Sequence, residues 1–408
     1  MSVRINISQS WFKSGSSISG TVSLHGDEDI DINTLNIRFV GSCDTQIDVL
    51  HDEFEKVQGR APLFEYMQVL FKGPRTMHPG LSWPFHFTIP SHSVANQPKS
   101  WLQQKQGFNI DPSQDLPPSF SDQCVHGTAR VTYTLIATLT SWKSFTAEKV
   151  VHKTLTLPPT RDIEASSPSF IQRTQTLTCR SLHLQPQRDD KPLTFKEKLI
   201  AKRTSKLPAA VFNLHMLLPT FGVTRQHLPM ILGIEHDSDA STATMLPIVL
   251  LKECVVQLLA TTHVQYPGPK NLLEVQGWTT SHGLSPTLSS EVSRKPIPVT
   301  EHTDLSSFLQ LVIPAYHVPN FSTFNVRRNY QLRIQISVEC AQKTLKAEFV
   351  AENFTLLAAD YMPNRGATAE VSNSTVMEQE EGAPGYDDRD DVPPPYEGQS
   401  SSLPSARH

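Results

Sequence analysis

The sequence predicts an all-β chain: two antiparallel β-sandwiches in tandem, followed by a disordered acidic tail. Three observations predict it. Apolar residues recur with a period of two in one stretch after another, the mark of strands with one face buried and one face wet. Helical spacing is scarce; its best instance, Phe195 to Lys202, is short, and its apolar positions suit a sheet face equally well. Beyond Leu357 the alternation stops, and the chain turns acidic and rich in Pro, Ser and Gly.

In chain order, Ile18, Gly20, Val22 and Leu24 alternate with Ser19, Thr21 and Ser23, and Leu35, Ile37 and Phe39 with Asn36 and Arg38. Trp83, Phe85, Phe87 and Ile89 alternate with Pro84, His86 and Thr88; Val131, Tyr133, Leu135, Ala137 and Leu139 are spaced largely by threonines. These strands place the first sandwich over 1–158. Within it, Ser91 to Gln123 is rich in Gln, Pro and Ser and reads as a long flexible loop. The segment 159–193, rich in Ser, Thr, Gln and Arg with little periodicity, reads as a linker. A second sandwich over 194–360 ends in the alternation of Leu332, Ile334, Ile336, Val338 and Cys340 with Arg333, Gln335, Ser337 and Glu339. The tail, 361–408, has too little apolar area to offset its ordering entropy.

A length of 408 residues is enough for two globular domains. The formal charge of −4 lacks the basic surface that a general nucleic-acid binder needs. That charge is unevenly divided: Tyr361 to His408 holds nine acids and three bases, a net of −6, which leaves 33 bases against 31 acids, or +2, for the remainder. No stretch approaches the roughly 20 apolar residues of a membrane-spanning helix. The greasiest segment, Met245 to Ala260, contains Lys252, Glu253 and Gln257. The first residues, Met-Ser-Val-Arg-Ile-Asn-Ile, lack the pattern of a signal peptide. The five cysteines (Cys43, Cys124, Cys179, Cys254, Cys340) are far apart in sequence with no CxxC, which indicates neither a zinc knuckle nor a disulfide framework and fits a reducing cytosol.

Several ordered segments are similar to the α-arrestins, specifically the fungal arrestin-like adaptors. Phe12-Lys-Ser-Gly-Ser-Ser-Ile-Ser-Gly-Thr-Val-Ser-Leu24 resembles the family's opening strand pair, and Ile30-Asp-Ile-Asn-Thr-Leu-Asn-Ile-Arg-Phe-Val-Gly41 follows it. Pro79 to Pro90, Leu116-Pro-Pro-Ser-Phe120 and the Tyr133 strand continue the order, and Asn320 to Tyr330 leads into the Leu332 strand in the second half. The resemblance covers nearly all of Ser2 to Leu357 and implies immunoglobulin-like, arrestin-type sandwiches. The insertion before Leu116 is longer than the family's usual pattern. No motif assigns the buried charged cluster or the C-terminal strand clasp by which visual and β-arrestins hold their two domains.

The tail carries Asp390-Asp391-Val392-Pro393-Pro394-Pro395-Tyr396-Glu397, a PPxY motif formed by Pro393, Pro394 and Tyr396. Consecutive prolines preset a polyproline II helix, so little entropy is lost on docking to an aromatic-lined WW groove. Tyr396 supplies an amphipathic ring for the adjoining pocket. In α-arrestins this motif recruits HECT-type ubiquitin ligases with WW domains. The resemblance therefore implies a cytoplasmic adaptor, peripherally recruited to plasma membrane or endosomes, that brings the ligase to the cytosolic regions of membrane transporters or receptors. An arrestin-like or retromer-like trafficking or signalling scaffold working without a ligase is the alternative.

The basic stretch Lys191 to Lys206, with Lys196, Lys198 and Lys202, reads either as a solvated charged edge or as a contact for anionic lipid or acidic cargo tails. The resemblance adds ubiquitylation of these lysines. No feature supports an enzyme or a cofactor. Gly15-Ser-Ser-Ile-Ser-Gly20 lacks GxSxG spacing and runs on as a strand. Glu235-His236-Asp237-Ser-Asp239 lacks an EF-hand glycine and a second histidine at i+4, and reads as a polar loop.

Overall fold

A computed structural model describes residues 2–50, 54–94, 108, 111, 113–125, 127–141, 148–159, 169–185, 207–268, 273–284, 297–309 and 311–359. Among them the architecture is all-β and almost wholly antiparallel. The first sandwich contains β1 (Ser2–Ile7), β2 (Ser17–His25), β3 (Ile30–Leu50), β4 (Phe54–Met77), β5 (Ser82–Thr88), β6 (Phe120–Cys124), β7 (Gly127–Thr140) and β8 (Glu148–Leu155). One sheet has the order β1-β2-β5 and the other β4-β3-β7-β6, with β8 also paired to β7. The alternating residues do what the pattern predicts. Ile18, Val22 and Leu24 of β2, Leu35, Ile37 and Phe39 of β3, and Tyr133, Leu135 and Ala137 of β7 are buried in one apolar cluster. Each large side chain so buried contributes about 1.5–3 kcal/mol relative to exposure. Gly20 interrupts the apolar set for a steric reason: a Cβ there would lie 2.3 Å from the carbonyl oxygen of Asn6 on the paired strand β1.

The second sandwich contains β9 (Phe170–Arg180), β10 (Ala209–Pro219), β11 (Phe221–Val223), β12 (Ile231–Asp237), β13 (Val249–Pro267), β14 (Leu273–Gly283), β15 (Ile297–Pro298), β16 (Thr303–Asp304), β17 (Phe321–Ser322), β18 (Val326–Cys340) and β19 (Lys343–Leu357). Its sheets run β16-β12-β10-β9 and β11-β19-β18-β13-β14, the β11–β19 pair being parallel. In β13 a bulge between Leu251 and Glu253 shifts the phase, so that Cys254, Val256, Leu258, Ala260, Thr262 and Val264 all face inward.

Three segments differ from the sequence expectation, the smallest being Glu235 to Asp237, which read as a polar loop but end strand β12 in register with β10. Residues 170–180, assigned to the linker, form strand β9, which pairs with β10 along its whole length. It is an edge strand with only Leu177 and Cys179 buried, so its polar wet face outweighs the periodic signal. Within the expected loop 91–123, Phe120–Cys124 is strand β6, and Leu116 and Phe120 are buried. The preceding residues are fixed because the buried Tyr133 hydroxyl donates to the carbonyl of Pro117 at 2.6 Å, and the Ser119 amide donates to the Leu157 carbonyl at 2.9 Å.

The first core does not end at its own strands. Val264 and Tyr266 of β13, Phe324, and Val326 of β18 are buried in the same cluster as β3 and β7. The long strands β13 and β18 thus carry their inward face from the second sandwich into contact with the first. That overlap positions the site described next.

Candidate functional site

The described residues contain one arrangement in which charge is placed on an otherwise apolar face. The inward set of β18 reads Val326, Arg328, Tyr330, Leu332, Ile334, with Arg328 buried among them. On β13 the facing residue is Thr262, and Thr262 in turn faces Trp278 on β14. Trp278, Thr262 and Arg328 therefore form one row across three strands. Asp122, from β6 of the first sandwich, closes over the row.

A single carboxylate oxygen, Oδ2 of Asp122, accepts three hydrogen bonds: from Arg328 Nη1 at 2.7 Å, Thr262 Oγ1 at 2.5 Å and Trp278 Nε1 at 3.0 Å. Arg328 Nη1 also donates to the Thr262 hydroxyl. The side chains of Arg328 and Asp122 are only 7% and 16% exposed, which takes the pair out of the class of screened surface bridges. The guanidinium lies over two aromatic rings, 5.5 Å from the Phe120 ring centre and 5.4 Å from that of Tyr330. Phe120 meets Phe321 edge-to-face at 5.0 Å, another contact between the sandwiches. Nearby, the buried Asn325 donates to the carbonyl of Cys43 at 3.0 Å, tying the turn before β18 to the middle of β3.

Two histidines complete the neighbourhood. His282, on the Trp278 face of β14, packs edge-to-face on His317 with ring centres 4.6 Å apart; the Tyr316 ring, tilted by 40°, also meets His317 at 4.4 Å. The Nε2 atoms of both rings are buried without a hydrogen-bond partner among the described residues. Burial, then the neighbouring His282, then Arg328 hold the His317 pKa down to about 4. His282 is lowered in the same way, by burial first and Arg328 second, with Asp122 opposing. Burial raises Tyr330, whose hydroxyl donates to the Val318 carbonyl at 2.5 Å, while Arg328 works against that rise. Both imidazoles are therefore neutral at neutral pH, so the positive charge of the seam belongs to Arg328, matched by Asp122.

Chemically this arrangement fastens. One carboxylate from the first sandwich satisfies donors from three strands of the second, and removing it strands a buried guanidinium. The sequence held a usable signal for it: the alternation that defines β18, extended backwards from Leu332 through Tyr330, puts Arg328 on the buried face. A charge at an inward position calls for a partner. Asp122 had no comparable signal, because it lies within the segment that reads as a loop.

Pro393, Pro394 and Tyr396, and likewise Lys196, Lys198 and Lys202, lie outside the described residues, as does the helical stretch Phe195 to Lys202. Of the acidic residues weighed for metal, Glu235 is bonded to His215 at 3.1 Å and Asp237 accepts the Ala240 amide at 3.0 Å, while His236 meets the Ser241 hydroxyl at 2.9 Å. No group of His, Cys, Asp and Glu among the described residues is arranged to hold a metal ion. No helix among them is long and apolar enough to cross a membrane.

A groove of about 410 Å³ crosses β13, β18 and β19 beside Gln175. Its carboxylates are already engaged: Glu348 by Arg333 at 2.8 Å and Gln335 at 3.0 Å, and Glu253 by the Ser337 hydroxyl at 3.3 Å. The seam is thus the better developed site. A scan against protein-family models returns no match for the chain, and a search of curated protein sequences returns none either.

Proposed function

We propose that the chain is an arrestin-like trafficking adaptor that recruits a WW-domain-containing HECT-type ubiquitin ligase, through Pro393, Pro394 and Tyr396, to membrane transporters or receptors, and so promotes their ubiquitylation and endocytosis. The observation that carries this reading is the PPxY motif itself, placed roughly 35 residues beyond β19. Its prolines favour the conformation a WW groove binds, and its acidic flank, Asp390 and Asp391, adds electrostatic steering.

The output is proximity. A ligase held at Tyr396 has its effective concentration raised beside cargo lysines, so the adaptor speeds ubiquitin transfer without performing chemistry. The all-β body supports the reading as a carrier, because its two sandwiches are joined by apolar continuity and a charged seam. A body of that kind offers cargo a surface with one relative orientation of its two halves. Cytoplasmic residence with peripheral recruitment to plasma membrane or endosomes follows from this role, and Lys196, Lys198 and Lys202 are the lysines to examine for anionic contact or ubiquitylation.

Co-precipitation with isolated WW domains tests the reading, comparing the full chain with Tyr396→Ala and Pro394→Ala, and scoring cargo ubiquitylation in parallel. Loss of both in the variants is expected. Unchanged capture and unchanged ubiquitylation would sink the proposal and leave a ligase-independent scaffold in its place.

A further inference from the structure

The five cysteines sit far apart in sequence, yet folding brings two of them together. Cys179 on β9 and Cys340 at the end of β18 belong to opposite sheets of the second sandwich, both fully buried. The Cys179 thiol donates to the Cys340 carbonyl oxygen at 3.1 Å across a sequence separation of 161 residues, which brings the two cysteines side by side. The geometry around them is fixed from both sides. Cys179 is held in register opposite Ala210, and Cys340 opposite Val249 and Lys343. Two residues beyond Cys179, the Ser181 hydroxyl donates to the carbonyl of Ala341 at 3.0 Å, a second tie between the same two segments.

The electrostatics separate this pair from the other buried thiols. Burial pushes Cys43 and Cys254 each up to about 12, so both behave as small apolar side chains. Cys179 moves the opposite way: the hydrogen bond from Cys340 and the nearby Lys343 ammonium lower it against the effect of burial, while Cys340 is raised. The two thiols act as one pair, and the nearby Lys343 ammonium favours placing the thiolate on Cys179, with Cys340 as the resolving partner. The way in is the hairpin joining β18 to β19, where Ala341 and Gln342 both sit at positive φ, 46° and 61°. A two-residue turn of this kind favours Asn and Gly, and non-glycine residues there store strain that lowers the cost of opening the hairpin tip next to Cys340.

We propose that Cys179 and Cys340 form a reversible redox site in which a small peroxide drives a disulfide linking the two sheets of the second sandwich. The Cys179 thiolate attacks one oxygen of hydrogen peroxide, the O–O bond breaks, and sulfenic acid and hydroxide result. The Cys340 sulfur then attacks the sulfenic sulfur, an S–S bond forms, the S–O bond breaks, and the Cys340 proton leaves with the departing hydroxide as water. Two thiols are oxidised, one peroxide is reduced, and two waters are released in total; a dithiol reductant reverses the linkage. The linkage closes a long loop and ties β9, the edge strand that follows the connector, to the β18–β19 hairpin. It is independent of the adaptor reading.

The test uses the full chain with Cys124→Ser, which removes the only cysteine of the five that is not buried. After hydrogen peroxide, thiols are counted in denaturant and a non-reducing digest is examined by mass spectrometry. The expected result is loss of two of the four remaining thiols, a linked peptide containing Cys179 and Cys340 that is absent from Cys340→Ser, and recovery of both thiols with dithiothreitol. Closing the long loop also raises the melting midpoint by about 5–10 °C. Four thiols surviving peroxide, a linkage between other cysteines, or Cys179 passing to sulfinic acid while Cys340 stays a thiol would overturn the proposal.

Discussion

The interiors of the two sandwiches and the seam between them are built on the same strands by opposite rules. Inside the second sandwich, β18 buries Leu332, Ile334, Ile336 and Val338, all apolar; a few residues earlier the same face buries Arg328. An apolar interior gains free energy from each side chain with little demand on direction, so it tolerates exchange of one aliphatic residue for another. The seam gains only if every partner is present. Asp122, Thr262, Trp278 and Arg328 share one oxygen atom, and loss of a member leaves the others desolvated and unsatisfied. Specificity in this body therefore resides in the seam: the cores make it fold, and the seam sets how its halves meet.

The largest expected effect comes from breaking the seam. Asp122→Ala should cost about 3–5 kcal/mol, because it leaves the Arg328 guanidinium buried without its anion. Chemical denaturation checks this, and adding Arg328→Met should recover much of the loss by removing the stranded charge.

Acidification probes the histidines of the same region. Above the unfolded-state value near 6.5, both states hold neutral His317 and it makes no contribution. As the pH falls below that value, the unfolded chain binds a proton that the folded chain, with His317 depressed to about 4, refuses. Stability is therefore lost on the way down, by roughly 3 kcal/mol between pH 6.5 and pH 4, with His282 adding in the same direction. Urea titrations across that window should show a shallower slope in His317→Asn, while Arg328, Asp122, Tyr330 and Tyr316 remain in place around it.

A smaller effect sharpens the contrast from the core side. Tyr133→Phe keeps the ring stacked against Phe64 at 5.9 Å but orphans the Pro117 carbonyl, so it should cost about 1–2 kcal/mol in a thermal or denaturant melt. The smallest is at the surface. Arg333 pairs with Glu348 at 2.8 Å in an exposed setting, and Arg333→Ala should leave the melting midpoint unchanged within error. A large loss there would mean that exposed and buried pairs in this protein do not differ as claimed.

The cores were legible because alternation reports burial directly, as for Leu35, Ile37 and Phe39 or Val131 through Leu139. Edge strand β9 was not legible, since nine of its eleven residues escape full burial and its pattern resembles a polar connector. Strand β6 was hidden for another reason: Phe120 is held in part by a partner remote in sequence, Phe321 across the seam. Half of the seam could have been anticipated from Arg328 at an inward position. The other half could not, because a lone aspartate in a Gln- and Pro-rich stretch carries no periodic information. The approach of Cys179 to Cys340 was invisible for the same reason: it joins the end of one strand to a strand in the opposite sheet.

A double-mutant cycle on Asp122→Ala and Arg328→Met tests most directly the claim that this buried carboxylate fastens the two sandwiches. Unfolding free energies of the two single variants, the double variant and the parent give the coupling. An Asp122–Arg328 coupling of about 1.5–3 kcal/mol is expected, with the double variant more stable than Asp122→Ala. A coupling near zero, with the two losses simply adding, would contradict it.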